Sequence, residues 1–121
     1  DWSSDVCSSD LLLTAHPKVG AVFAINDPSG LGAALALRQA RRDDVVVAAV
    51  DGAPDAEKAL QDARSAFAAT AAQDPFTMAG KAVEVGFSIL QGRPAPSERV
   101  LVPVSLVTRE NIAGYRGWTN K

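Results

Sequence analysis

Residues that carry chemistry are scarce in this chain of 121 residues. There is one cysteine, Cys7, and one histidine, His16. A single thiol cannot close an internal disulfide, and one thiol with one imidazole cannot build a tetrahedral metal site. No apolar run approaches the roughly 20 residues that span a bilayer. Charge of one sign is missing too. The formal net charge is -2 with acidic and basic residues interspersed, so nothing marks the chain for nucleic acid or an anionic membrane surface. The signatures of catalysis are equally thin. Gly30-Leu31-Gly32 begins like a dinucleotide fingerprint, but Leu35 stands where the third glycine belongs. There is no G-x-x-x-x-G-K-S/T phosphate loop and no G-x-S-x-G elbow. His16 directly precedes Pro17, where a role at a helix end fits better than that of a base. Neither catalysis nor a cofactor is expected.

What is present is a soluble globular pattern, 47% hydrophobic and 21% charged. LLLTAH (11–16) reads as the last turns of a helix stopped by Pro17. AVFAIN (21–26) and VVVAAVD (45–51) are apolar runs of strand length that end in polar Asn26-Asp27 and Asp51, and AFAATAAQ (66–73) ends likewise in Gln73. Between them lie helix patterns. SGLGAALALRQARR places Leu31, Ala34, Leu35 and Arg38 at helical spacing. PDAEKALQDAR opens with Pro54, Asp55 and Glu57, which suit a helix start. DPFTMAGKAVEVGFSILQG puts Phe76, Ala79, Val83, Phe87 and Leu90 on one face, with Gly92 as a C-cap. Arg41-Arg42-Asp43-Asp44 reads as a solvated, self-neutralising loop. After the connector 93–98, RVLVPVSLVT (99–108) reads as a long extended segment.

Alternating strands and helices are the α/β signature, and continuous apolar strands predict a parallel sheet covered on both faces, a three-layer αβα arrangement. Right-handed crossovers then place Asn26, Asp51 and Gln73 at the carboxyl ends of their strands, along one rim. That rim is where open α/β sheets take ligands. Two amides and one carboxylate accept and donate with a single charge between them, a set suited to a polyhydroxyl ligand.

AVFAINDPSGLGAALAL, VVVAAVDGAPDAEKAL, AATAAQDPFTMAGKAVE and VTRENIAGYRGW, taken in order, resemble the type I periplasmic sugar-binding proteins of ABC importers, above all the ribose-binding branch. The resemblance runs from Leu12 to the C-terminus. It implies that Asn26, Asp51 and Gln73 hydrogen-bond sugar hydroxyls. The segment from Asp51 to Gln73 is about two residues longer than in the ribose-binding relatives, and Val50 stands where Phe is common. The resemblance further implies a periplasmic receptor or extracellular lipoprotein, monomeric, that captures a ribose-like monosaccharide and hands it to ABC permease subunits, with no nucleic acid involved. The effector-sensing domain of a lac-repressor-type transcription regulator shares this fold and is the alternative.

The family fold has two lobes joined by three crossings. On that pattern residues 12–73 belong to the C-terminal lobe, 74–105 to the other lobe as an orphaned helix and strand, and 106–121 to the return. The apolar stripe of the 75–91 helix should then be exposed or packed non-natively. Tyr115 and Trp118 are expected to anchor the tail against the lobe. Residues 1–11, DWSSDVCSSDL, break with the composition that follows. They lack the positive region of a secretory signal, and their only apolar run begins at Leu11. They resemble the conceptual translation of a short-read sequencing adapter, so residues 1–10 are expected to lie without partners in the fold.

Overall fold

The computed structural model describes residues 2–95 and 97–118, and for residues 2–7 the backbone alone. Its elements run α1 (Trp2–Ala15), β1 (Ala21–Phe23), α2 (Asp27–Gln39), β2 (Val46–Asp51), α3 (Pro54–Gln61), β3 (Phe67–Ala72), α4 (Pro75–Leu90), β4 (Ser105–Thr108) and a 3-10 turn (Ile112–Gly114). One four-stranded sheet is ordered β1-β2-β3-β4. The first three strands are parallel, as expected. β4 is not: it pairs antiparallel with β3, Ala72 opposite Ser105 and Ala69 opposite Thr108. The extended segment also shrinks to Ser105–Thr108. The chain leaves the sheet after β3, runs out along α4, and returns from the end at which it left. It then adds to β3's free edge, in the opposite sense.

Side-chain burial alternates along the strands. In β2, Val47 and Ala49 are buried while Val46 is exposed. Sequential strand order puts the right-handed crossover helices α2 and α3 on one side of the sheet. The core is built there, from Leu13, Ala33, Leu37, Val45, Val47, Leu60, Phe67 and their neighbours. Covering of both faces is therefore not found among the described residues: Phe23, 74% exposed, and Val46 stand on the open side. The accessible surface of 8164 Å² lies well above the roughly 6,200 Å² that size scaling gives a compact chain of this mass.

Two local expectations change as well. In α2 the buried residues are Asp27, Gly30, Gly32, Ala33, Ala34, Ala36 and Leu37, while Leu35 points outward. The helix is so rich in small apolar residues that its pattern leaves the phase ambiguous, and close approach decides it. A Cβ on Gly30 would sit 2.9 Å from Ala49 Cβ and 2.9 Å from Phe67 Cε2. Residues 2–10 are not outside the fold: they form a helix continuous with Leu11–Ala15, and α1 lies against α2. Ser9, Leu12 and Leu13 border the same small gap as Val22 and Leu37. The side chain of Cys7 falls outside the described residues. The basic-acidic loop closes on itself as expected, with Arg42 Nε and Nη2 donating to Asp44 at 2.7 and 2.9 Å. The same guanidinium also donates to the carbonyls of Pro17 and Val19, fixing the approach to β1.

α4 has no buried residue. Asp74 caps it, accepting from Thr77 N at 3.0 Å, and Gly92 ends it at φ 76°. Phe76, Val83 and Leu90 are 69%, 72% and 86% exposed, so the expected apolar stripe is uncovered. An open apolar groove of about 410 Å³ separates Met78, Ala82 and Val85 from Val100, Leu101 and Val104. None of the described residues of 74–105 joins the core.

Candidate functional site

The carboxyl ends of β1, β2 and β3 bring the three expected residues together. Asn26 follows β1 in extended conformation (φ -149°, ψ 165°), and its Oδ1 accepts from Ser29 N at 2.9 Å, capping α2. Its carbonyl oxygen is therefore committed to structure, and its NH2 is the group left to face a ligand. Asp51 ends β2. Its Oδ2 accepts from Asp27 N at 3.3 Å and its Oδ1 from Gln73 Nε2 at 3.0 Å. An ionised carboxylate has about four lone-pair sites, so acceptor capacity remains on Asp51. Gln73 is half-buried, and its Oε1 is a further acceptor. The β2–β3 register shifts between Val47 and Ala48, paired with Phe67 and Ala69. Pairing then resumes to Asp51 opposite Ala72, which leaves Gln73 beside Asp51. Together the three offer donors from Asn26 beside acceptors on Asp51 and Gln73, the complement of neighbouring hydroxyl groups.

The turn that follows Asp51 is unusual. Asp51 has φ 131° and Gly52 φ 74°. A side-chain-bearing residue in that region costs on the order of 1–3 kcal/mol and persists only where its surroundings over-determine it. Here they do. Asp51 O accepts from Gln73 N at 2.9 Å and from Trp118 Nε1 at 3.0 Å. Gly52 N donates to Thr70 Oγ1 at 3.1 Å, and Gly52 O accepts from the Tyr115 hydroxyl at 2.8 Å. Ala53 N donates to Asp27 Oδ2 at 2.7 Å. Tyr115 and Trp118 thus anchor the tail as expected, but on this turn. A recess of about 410 Å³ opens beside it between Gln73, Ser105 and Arg116.

Three contributors escape a reading by strand ends alone. Asp27 and Thr70 are fully buried, and Thr70 Oγ1 donates to Asp27 Oδ1 at 2.8 Å. Burial, reinforced by the nearby Asp51 charge, holds the Asp27 carboxyl above its usual pKa despite the bonds it accepts. The third is Trp118, whose indole reaches the Asp51 carbonyl from the far end of the chain. The only available signals are that Asp27 adjoins the polar strand end and that Thr70 interrupts an alanine run. Among the described residues no group of three or more His, Cys, Asp or Glu could hold a metal ion.

Comparison with known proteins completes the site's context. A family model described as a periplasmic binding protein domain matches residues 1–94. The chain belongs to the periplasmic binding protein family. Its α/β fold is that of the type I members, with the one-sided sheet and antiparallel β4 described above. This periplasmic binding protein chain is 52% identical over 81 residues to the ribose import binding protein RbsB of Salmonella typhimurium, covering 67% of this chain and 27% of that protein. It is 35% identical over 103 residues to the D-apiose import binding protein of Paraburkholderia graminis, covering 84% and 32%. An ABC transporter solute binding protein from Mycobacterium smegmatis, solved with bound glycerol, superposes with a TM-score of 0.85 at 32% identity, over 99% of this chain and 42% of that one. The chain therefore spans less than half the length of these relatives. These two curated relatives are named as import binding proteins.

Proposed function

We propose that this chain is part of a solute-binding receptor that captures a monosaccharide, ribose-like in its hydroxyl pattern, for an ABC-type importer. The observation that supports this is the rim: Asp51, bonded to Gln73 and to the backbone of Asp27 next to Asn26, keeps a carboxylate that is held but not saturated. The named relatives add weight, being ribose and D-apiose import binding proteins. The same names disfavour an effector-sensing domain of a lac-repressor-type regulator. On this reading the receptor is a periplasmic protein or extracellular lipoprotein, is monomeric, works with ABC permease subunits and is not an enzyme. Residues 12–73 and 106–121 form one lobe, and 74–105 belongs to a second lobe that closes over the sugar. Residues 1–11 remain the adapter-like stretch, of which 2–11 are carried as a helix.

An open rim binds weakly. Three hydrogen-bonding side chains at about 1 kcal/mol each supply about 3 kcal/mol, a Kd near 10 mM. Titration with D-ribose should move the side-chain amide resonances of Asn26 and Gln73 in that range. Calorimetry should show no micromolar binding. Unmoved amide resonances at saturating pentose would refute the sugar rim, and micromolar affinity would refute the need for a closing lobe.

A further inference from the structure

We propose that Asp27 is a positioning residue for the sugar rim: from within the core it sets the 51–53 turn so that Asp51 presents its carboxylate at the rim. This rests on the proposed sugar site and names a residue outside the three that would touch ligand.

Asp27 and Thr70 are the buried polar residues among the described core positions, and they are bonded to each other. A buried carboxylate is expensive unless its bonds are made. The bonds of Asp27 converge on one place. Its Oδ2 takes Ala53 N at 2.7 Å. Its Oδ1 takes the Thr70 hydroxyl at 2.8 Å, and that hydroxyl in turn takes Gly52 N at 3.1 Å. Its own backbone N reaches Asp51 Oδ2 at 3.3 Å. Thus one residue holds the turn through its side chain and the Asp51 side chain through its backbone. Helix capping does not account for it, since Asn26 already caps α2. The helix N-terminus favours a negative charge there but does not require the carboxylate to reach residue 53. What requires it is Asp51 at φ 131°, in a region where a side-chain-bearing residue is stable only when strapped.

The test uses Asp27→Asn and Thr70→Val, with Leu37→Ala as a core control remote from the rim, all in the whole chain. Amide hydrogen exchange is the first measurement. Protection at Gly52 and Ala53 should fall about tenfold more in Asp27→Asn than at the β2 amides, as loss of a bond to a charged group allows. Leu37→Ala should lower protection everywhere alike. The second measurement is D-ribose titration by amide shifts, in which Asp27→Asn should weaken the response about tenfold while Leu37→Ala leaves it unchanged. Exchange at 52–53 that follows the global change, or an unaltered ribose response in Asp27→Asn, overturns the proposal. If the parent chain shows no ribose response, the sugar reading fails. The exchange comparison then decides by itself whether Asp27 sets the turn. If Asp27→Asn does not fold, Thr70→Val carries the same two measurements, since it removes the link to Gly52 and keeps the charge.

Discussion

Replacing Gly52 by alanine should be among the most damaging single changes in this protein. Gly52 has φ 74°, in the left-handed region, where an L-residue costs about 1 kcal/mol or more. The added Cβ would lie 2.5 Å from Ala72 Cβ and 2.9 Å from Ala72 Cα, and would collide with the Tyr115 hydroxyl. Ala72 cannot retreat, because it pairs with Asp51 on one side and Ser105 on the other. Tyr115 can retreat only by surrendering its bond to Gly52 O. Backbone strain of about 1 kcal/mol, overpacking of about 2 and a lost hydrogen bond of about 1 amount to about 4 kcal/mol. A domain has about 5–15 kcal/mol in all, and one with an open sheet face has little in reserve. Urea unfolding followed by far-ultraviolet circular dichroism should therefore show Gly52→Ala largely unfolded at low denaturant. A loss below about 1 kcal/mol, the size of an ordinary substitution, would mean that the turn is not strapped as described.

Three further expectations follow from the packing. Gly30→Ala gains up to about 1 kcal/mol of helix propensity but drives a methyl into Ala49 and Phe67, so urea melts should show a net loss of about 1–2 kcal/mol; a stabilised variant would contradict the close helix–sheet approach. Val83→Ser and Phe87→Ser on α4 should change stability in urea melts by less than about 0.5 kcal/mol, against about 3–5 for truncating a core phenylalanine. A large stability loss there would show that α4 is packed. The raised pKa of Asp27 sets a pH dependence. A carboxyl that binds its proton more tightly folded than unfolded contributes stability below its unfolded value of 3.8, lost as pH rises through the folded value. The stability of the parent chain minus that of Asp27→Asn should accordingly fall as pH is raised from below 3.8, and a difference that grows with pH would contradict the burial of that carboxyl.

Much of this was legible because the signals are local. Polar residues closing apolar runs mark strand ends, and handed crossovers align those ends, so Asn26, Asp51 and Gln73 meet on one rim. Pro54 with Asp55 and Glu57 opens one helix, and Gly92 closes another, where chain chemistry says they must. What was illegible depends on distant partners. The sense of β4 is decided by which end of the sheet the chain returns to, and Ser105–Thr108 carries no mark of it. The burial of Asp27 follows from where residues 53 and 70 come to lie. The stretch 2–10 has no repeating apolar face, so a polar composition concealed that it forms the first part of α1. The phase of α2 was lost for the opposite reason, too many small apolar residues on every side.

The antiparallel pairing of β3 with β4 has a topological meaning. Ala72 and Ser105 are directly opposite each other, so residues 73–104 begin and end at the same point of the sheet, as the loop of a hairpin whose stem is β3 and β4. A hairpin tolerates exchange of its loop. Joining the stem by a four-residue turn would reduce the closure entropy by about 2 kcal/mol and remove α4 without touching a core residue. What would remain is a minimal unit of continuous sheet, still carrying Asn26, Asp51 and the bonds of the turn to Asp27, Thr70, Tyr115 and Trp118, but without the two from Gln73. The whole α4 excursion is thus a module attached at a single two-strand stem, free to be lengthened, swapped or omitted without re-registering the sheet that bears the rim.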